Sequence, residues 1–486
     1  MSRSATDSLQ TVAHHIGGTA AEPVSGNRTV VVNPATEEPI ASVAEGDERD
    51  VAAAVEAANG ARREWADLGW SERAAVLRAI ADRIEEHGEE LALLDVVDAG
   101  IPIRGMRRDV ANSVAYVRYF AGLASELKGH SLERPSENLD VTVREPFGVV
   151  GRIVPFNHPL QFAAAAVAAP LAAGNAVVLK PAEQTPLSAL RLAELTADLL
   201  PGGVLNVVAG GRAAGEAIAA HPGIPRIGFT GSVATGKAVM RTAADEVKVV
   251  TLELGGKNPL LLLPDVAPER AAELALIGMN LQRTAGQSCG STSRVYAHRS
   301  LRPAFVEALA ERLDALVVGD PSDEQADVGP LAFEAHRDRV VEYIELGQSE
   351  GATLRAGGSE PPAGLERGYY VRPTLLDGVE DSMRVAREEI FGPVVSVLEW
   401  DDEDDLVERA NALDLGLTAN VATNDLAAAL RLSRALEAGF VWVNGRGQRP
   451  LGAPFGGYKW SGLGEENSLD ELRSYTRVKQ ISLGGG

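Results

Sequence analysis

Cysteine is nearly absent from this 486-residue chain: Cys289 stands alone. An internal disulfide is therefore excluded, and so is a zinc site built on several thiolates. Long apolar runs are missing too. The longest stretch, around Phe162–Ala173, is alanine-rich and broken by Pro170, too short and too weakly apolar to span a bilayer. The segment Met1–Gly18 has no apolar h-region, so no secretory signal is visible. These absences predict a soluble, cytoplasmic protein without a membrane partner. Lysine is also scarce, with seven among 46 basic residues. The 68 acidic residues bring the net charge to −22, a surface that repels phosphate backbones and argues against nucleic acid. Acid excess with few lysines is compatible with a salt-rich cytoplasm and equally with a GC-rich genome.

What is present is ordinary globular usage, 45% apolar and 23% charged, at a length that suits two or three domains. Residues 1–30 are weakly patterned, which predicts a frayed start. Asn33-Pro34-Ala35-Thr36 reads as a turn between the apolar runs Thr29–Val32 and Pro39–Val43. Helical spacing dominates from Glu48 to about Asp98, with Asp47 as N-cap, and a further helix is predicted over Arg107–Leu127. Residues 130–146 are polar and contain Pro135, and Val141 and Val143 alternate like a strand. The tail Ser474–Leu483 alternates similarly. Two such strands with little core of their own commonly pair with a partner subunit.

Residues 147–263 alternate short β-branched runs with alanine-rich helical segments. Strands are predicted at Val149–Val154, Ala176–Leu179, Val204–Val208, Arg226–Phe229 and Val249–Leu252. That alternation predicts a parallel sheet with helices on both faces, and ligands bind beyond the carboxyl ends of such strands. A second α/β block, roughly 264–450, carries helices near Pro268–Thr284 and Leu301–Leu316. Its strands are expected at Arg294–Tyr296, Val394–Leu398 and Phe440–Val443.

Several polar residues fall at these strand ends. Cys289, in Ala285-Gly286-Gln287-Ser288-Cys289-Gly290, sits on a glycine-permitted turn where main-chain N–H groups can stabilise a thiolate. A free cysteine is otherwise among the most buried residue types, though usually inside an apolar run. Glu253 directly follows the Val249–Leu252 run and could act as a general base or simply end a strand. Phe229-Thr230-Gly231-Ser232 opens a helix that continues through Gly236. It suits an anion but is no P-loop, since Ala238 follows Lys237 where a hydroxyl is needed. Lys180 and Glu183 frame another strand end, where a carboxylate can accept from ribose hydroxyls. Asn157, between Pro155 and Pro159, is a neutral donor of the kind that stabilises an oxyanion, or ordinary turn chemistry.

In this order the motifs resemble the aldehyde dehydrogenase superfamily over nearly the whole chain, from Asn33-Pro34-Ala35-Thr36 to Tyr475-Thr476-Arg477-Val478-Lys479. The matching segments are Pro155-Phe156-Asn157, Lys180 with Glu183, Phe229-Thr230-Gly231-Ser232, Glu253-Leu254-Gly255-Gly256-Lys257, Gly286-Gln287-Ser288-Cys289, Glu389-Ile390-Phe391-Gly392-Pro393 and Pro454-Phe455-Gly456-Gly457-Tyr458-Lys459. The resemblance implies that Cys289 attacks an aldehyde, that Asn157 and the Cys289 N–H hold the oxyanion, and that Glu253 activates the hydrolytic water. Glu466 matches a second carboxylate that assists proton movement in some relatives.

For the cofactor the resemblance implies NAD, lying along Val154, Pro155 and Phe156, with Lys180 and Glu183 on the adenosine ribose. Phe229, Gly231, Ser232 and Gly236 would border the pyrophosphate, and Leu254, Glu389 and Phe391 the nicotinamide end. A carboxylate at Glu183 repels a 2′-phosphate and so disfavours NADP. The chain departs from the common pattern in three ways: no second thiol flanks Cys289, Phe156 replaces the more usual tryptophan, and His158 follows Asn157. His158 is read as a loop histidine making local hydrogen bonds. Asn112, Tyr116, Ala165 and Phe455 would line the substrate pocket, with the loop Gly445–Arg449 as another edge. A small residue at Ala165 predicts a roomy entrance for medium or bulky aldehydes.

The implied fold is α/β and aldehyde dehydrogenase-like. It has a Rossmann-type NAD-binding domain over 1–125 and 147–254 and a catalytic α/β domain over 255–450. A small β extension over 126–146 and 468–486 would join a homodimer or homotetramer. No metal is expected. Two alternatives accompany this reading: a relative that passes its thioester to coenzyme A, which usually lacks the base at Glu253, and a catalytically silent member.

Overall fold

The computed structural model describes residues 9–132, 139–445 and 447–484. Met1–Ser8, Pro135 in the expected 130–146 hairpin, Arg446 and the last two glycines lie outside them.

An eight-stranded sheet forms the first half. Five of its strands are parallel, in the order Val249–Glu253, Arg226–Thr230, Val149–Ile153, Ala176–Lys180 and Leu205–Val207. The first of these in the chain, Val149–Ile153, therefore lies in the middle, and the chain winds outward from it in both directions. The strands are apolar on both faces because both faces are covered. Val177 and Leu179 enter one core with Trp65, Leu77 and Phe120. Ala176 and Val178 enter the other with Val55, Ile218 and Ile227.

The expected frayed start falls on residues outside the described ones, but the weakly patterned segment is ordered into strands from Gln10 onward. Gln10–Val12, His14–Ile16 and Thr19–Ala21 are strands, and the last two extend the main sheet antiparallel beyond Leu205–Val207. His14 and His15 are buried there, so polar residues carry positions that a hydrophobicity pattern cannot see. The helical stretch after Asp47 is three helices, Glu48–Asp67, Gly69–Glu86 and Gly88–Ala99. Asp47 and Asp50 form a reciprocal capping box on the first of them.

A seven-stranded sheet forms the second half, with Pro259–Leu262 beside Arg294–His298 and Thr418–Ala422. Four of its strands, including Thr353–Ala356 and Thr374–Asp377, fall where the sequence signal is too short to read. The helix expected over Pro268–Thr284 is interrupted: Pro268–Gly278 ends, Asn280 turns left-handed at φ 53°, and Leu281–Thr284 forms a separate turn.

Thr476–Leu483 pairs antiparallel with Leu139–Pro146 over its whole length, with Ser131–Leu132 on the other edge. Between the second half and this ribbon the chain returns to the first sheet. Gly462–Leu463 pairs with Val249–Glu253, and Leu472 and Tyr475 bury in the first core. Two arginines inside the parallel sheet fasten that return. Arg152 donates to Tyr475 Oη at 2.6 Å and to Glu466 at 2.8 Å, and Arg226 donates to Ser474 Oγ at 3.1 Å. Among the described residues no helix is long and apolar enough to cross a membrane, and no cluster of His, Cys, Asp or Glu could hold a metal ion.

Candidate active site

Strand order reverses about Val149–Ile153, whose neighbours lead to opposite halves of the sheet. Crevices form beyond the carboxyl ends at such a switch point. Pro155, Phe156 and Asn157 follow one of these strands, Thr230, Gly231 and Ser232 the next, and all line one cavity. Glu253, Leu254, Cys289, Glu389 and Phe391 line the same cavity. Residues from five distant stretches of sequence thus converge there.

Glycines make the convergence sterically feasible. A Cβ on Gly255 would come within 1.9 Å of Glu389 Oε2, and one on Gly256 within 3.0 Å of the Cys289 carbonyl oxygen. The Gly-Gly pair therefore lets Glu389 and the Cys289 turn approach the chain just after Glu253. Glu389 then accepts from the Gly256 N–H at 3.0 Å. Gly286 has φ 77°, and a Cβ there would meet the Gly392 carbonyl oxygen at 2.4 Å. Its neighbour Ala285 is also left-handed at φ 51°, and Phe391 at φ 62°. Non-glycine residues in that region are strained, and such strain clusters at functional sites.

Cys289 is half-buried on this turn. Burial pushes its thiol up to about 11, against the nearby positive charge of Arg449. Asn157 Nδ2 donates to the Gln287 carbonyl at 2.8 Å, which ties the first-sheet loop to the cysteine turn and leaves one amide hydrogen for another acceptor. Asn157 Oδ1, Thr230 Oγ1 and both oxygens of Glu253 are buried without a hydrogen-bond partner among the described residues. Burial, reinforced by the charge of Glu466, holds the Glu253 carboxyl well above the usual carboxylate range. Burial also pushes Glu389 up to about 7. Unsatisfied buried polar groups are costly, so their concentration beside one thiol marks a place built for a guest.

The other residues beyond these strand ends are arranged differently. Lys180 Nζ donates to the Pro181 carbonyl at 2.8 Å, and burial lowers it to about 8 against the pull of Glu183. Glu183 is exposed beside Gly211, where a Cβ would lie 2.2 Å from its Oε2. Ser232 caps the Val233–Ala244 helix by accepting from the Thr235 N–H at 3.2 Å. Gly236 packs under Leu254 and Gly231 over the Phe229 ring, each too close for a Cβ. Val154 is buried at its strand end.

Of the residues expected to line a substrate pocket, Asn112 donates to Gln161 at 2.9 Å and Tyr116 hydrogen-bonds Asn467 Oδ1. Ala165 is partly buried on the Pro159–Ala172 helix, one turn beyond Phe162, which lines the cavity. Phe455 is buried beneath Arg449. Glu466 is held by Arg152, with Glu471 behind it pushed up to about 8 by burial.

His158 differs from its expected local role. It is buried and bonds Asp109, 49 residues earlier, which Arg283 also engages. Phe333, His336 and Arg339 line the cavity as well and carry no motif that would have flagged them. Phe333 and Phe391 both meet the Phe156 ring edge-on, at 5.3 and 5.7 Å.

Residues 21–481 match the aldehyde dehydrogenase family. The chain is 42% identical to the aldehyde dehydrogenase tropH of Talaromyces stipitatus, covering 96% of this chain and 92% of that protein. It superposes on the NAD+ complex of an aldehyde dehydrogenase from Bacillus cereus with a TM-score of 0.94, at 40% identity and 99% coverage of both chains. A betaine aldehyde dehydrogenase from Staphylococcus aureus, in complex with NAD+, gives a TM-score of 0.94 at 34% identity, covering 98% of this chain and 95% of that one.

Proposed function

The chain belongs to the aldehyde dehydrogenase family, and on that premise we propose that it oxidises an aldehyde to the carboxylic acid with NAD, through a thioester on Cys289 that water hydrolyses. The observation that carries this reading is the meeting of one thiol, an amide donor and an unpartnered buried carboxyl, Cys289, Asn157 and Glu253, in a single cavity.

The residues present fit the dinucleotide. Gly211 lets the Glu183 carboxylate approach the chain where a side chain would block it, Ser232 opens a helix whose first N–H groups suit a pyrophosphate, and buried Thr230 Oγ1 lacks a partner. When bound, the nicotinamide supplies the hydride acceptor. Lys180 and Glu183 would hold the adenosine ribose, with Val154, Pro155 and Phe156 along the groove. Phe229, Gly231 and Gly236 would shape the pyrophosphate turn, and Leu254, Glu389 and Phe391 the nicotinamide end. The Glu183 carboxylate favours NAD over NADP, because it would face a 2′-phosphate of like charge.

Cys289 gives up its proton to solvent water and, as the thiolate, adds to the aldehyde carbon. The oxyanion is received by Asn157 Nδ2 and the Cys289 N–H. Loss of hydride from that carbon leaves a thioester. Glu253 then takes a proton from water, whose oxygen attacks the thioester and releases the acid and the Cys289 thiolate. Glu466, fixed by Arg152 and felt electrostatically by Glu253, would pass that proton outward. Presence of Glu253 favours hydrolysis over transfer to coenzyme A.

The proposed domains follow the sheets: a NAD-binding unit over 1–125 and 147–254, a catalytic unit over 255–450, and a β ribbon over 126–146 and 468–486. The ribbon exposes Leu132, Leu139, Val478, Ile481 and Leu483, an apolar set suited to a second copy in a homodimer or homotetramer.

The test is nicotinamide reduction with NAD and with NADP against a panel of aldehydes, with and without coenzyme A, beside Cys289→Ala. NAD-dependent turnover that is indifferent to coenzyme A and lost in the variant is expected. Turnover only with coenzyme A would contradict the hydrolytic step.

A further inference from the structure

Three arginines near the cavity are committed to protein partners. Arg152 binds Glu466, and Arg283 binds Asp109 and Gln161. Arg339 donates to the Glu389 carbonyl. Arg449 has no carboxylate or carbonyl partner among the described residues, in a chain where 68 acidic side chains outnumber 46 basic ones. Its guanidinium instead sits over Phe455, with Cζ 4.1 Å from the ring centroid.

Its position is set relative to the nucleophile. Arg449 Nη2 lies 3.9 Å from where a Cβ on Gly290 would stand, one residue beyond Cys289. It is the leading charge felt by the Cys289 thiol, and it also acts on Glu253, Tyr116 and His158. The guanidinium is exposed beside the turn that carries the reacting sulfur, and so is open to an incoming ligand. This cation–π contact uses none of the guanidinium's N–H donors. A planar, preorganised, unpaired guanidinium is the natural receptor for a carboxylate, which it can bind with two parallel hydrogen bonds.

Resting on the reading of this site as aldehyde-oxidising, we infer that the aldehyde turned over here carries a carboxylate, received by Arg449 at the mouth of the site while Cys289 attacks the other end. The bound pair cancels the one uncompensated positive charge beside the thiol and anchors the substrate by its unreactive end. Anchoring of that kind acts mainly through KM.

The experiment compares pairs that differ by one carboxylate: 4-oxobutanoate with butanal, and 4-carboxybenzaldehyde with benzaldehyde. kcat/KM is measured at saturating NAD for the native chain, Arg449→Gln and Arg449→Lys, with NAD binding followed by fluorescence to verify that each variant is folded. In the native chain the carboxylated member of at least one pair should be favoured about 10- to 100-fold. Arg449→Gln should erase that ratio, chiefly by raising KM for the carboxylated member, and Arg449→Lys should restore part of it. A native ratio near one, or a ratio that Arg449→Gln leaves unchanged because both members lose equally, overturns the inference while leaving aldehyde oxidation intact. Failure to oxidise any of the four despite NAD binding overturns both.

Discussion

The cysteine cavity and the end of the Lys180 strand are built on opposite principles. At the cysteine end, polar groups are buried and left unpaired: both oxygens of Glu253, Asn157 Oδ1 and Thr230 Oγ1. At the Lys180 end they are paired or exposed. Lys180 donates to Pro181, and Glu183 reaches solvent. A group that only binds can be satisfied before its ligand arrives. A group that must gain or lose a proton, or meet a charge that forms during reaction, is more useful unpaired. The two ends should therefore respond differently to substitution: the first in kcat, the second in cofactor affinity and choice.

The largest effect is expected at the nucleophile. Cys289→Ala should lower kcat by at least ~10³-fold while leaving the NAD dissociation constant within about twofold, measured by fluorescence titration. A comparable loss of NAD binding would erase the distinction between the ends. Glu253→Gln comes next, with kcat down by roughly 10²- to 10⁴-fold. Its first turnover should survive, seen as a stopped-flow burst of one NADH per site. Asn157→Ala should cost ~10²- to 10³-fold in kcat with little change in KM. At the other end, Glu183→Ser should move the NADP-to-NAD ratio of kcat/KM about tenfold toward NADP and leave kcat with NAD nearly unchanged.

The smallest effect concerns pH. Glu389 and Glu471 are held above their ordinary value of 4.5, to about 7 and about 8, chiefly by burial. The folded chain then keeps protons that the unfolded chain releases, so these groups make stability fall as pH rises from about 4.5 to about 8. Urea melts at pH 5 and pH 8 should show a smaller difference in Glu471→Gln than in the native chain. An unchanged or larger difference would contradict the assignment.

The same contrast explains what the sequence disclosed. The parallel strands of the first sheet are buried on both faces, so their apolar runs stand out, and the residues just beyond them could be placed at a ligand-binding edge from the pattern alone. The motif glycines were legible as turns, but their reason was not. Only the fold shows that Gly255 clears the way for Glu389, 134 positions on, and that Gly286 clears the way for Gly392. The strands at His14–Ile16 and Thr19–Ala21 went unread because histidines, threonine and alanine fill them. Phe333, His336 and Arg339 reach the cavity from a loop and helix with no motif, and His158 proved to bond Asp109 across the fold. Such contacts depend on tertiary placement, which local periodicity does not encode.

The central claim is a covalent acyl group on Cys289 that Glu253 removes. Intact-protein mass spectrometry of Glu253→Gln, quenched within a second of mixing with NAD and a turned-over aldehyde, tests it most directly. The account predicts a mass increase equal to the acyl group replacing one hydrogen, on the peptide containing Cys289, in step with one NADH per site. NADH formed in that amount with the protein mass unchanged would contradict it.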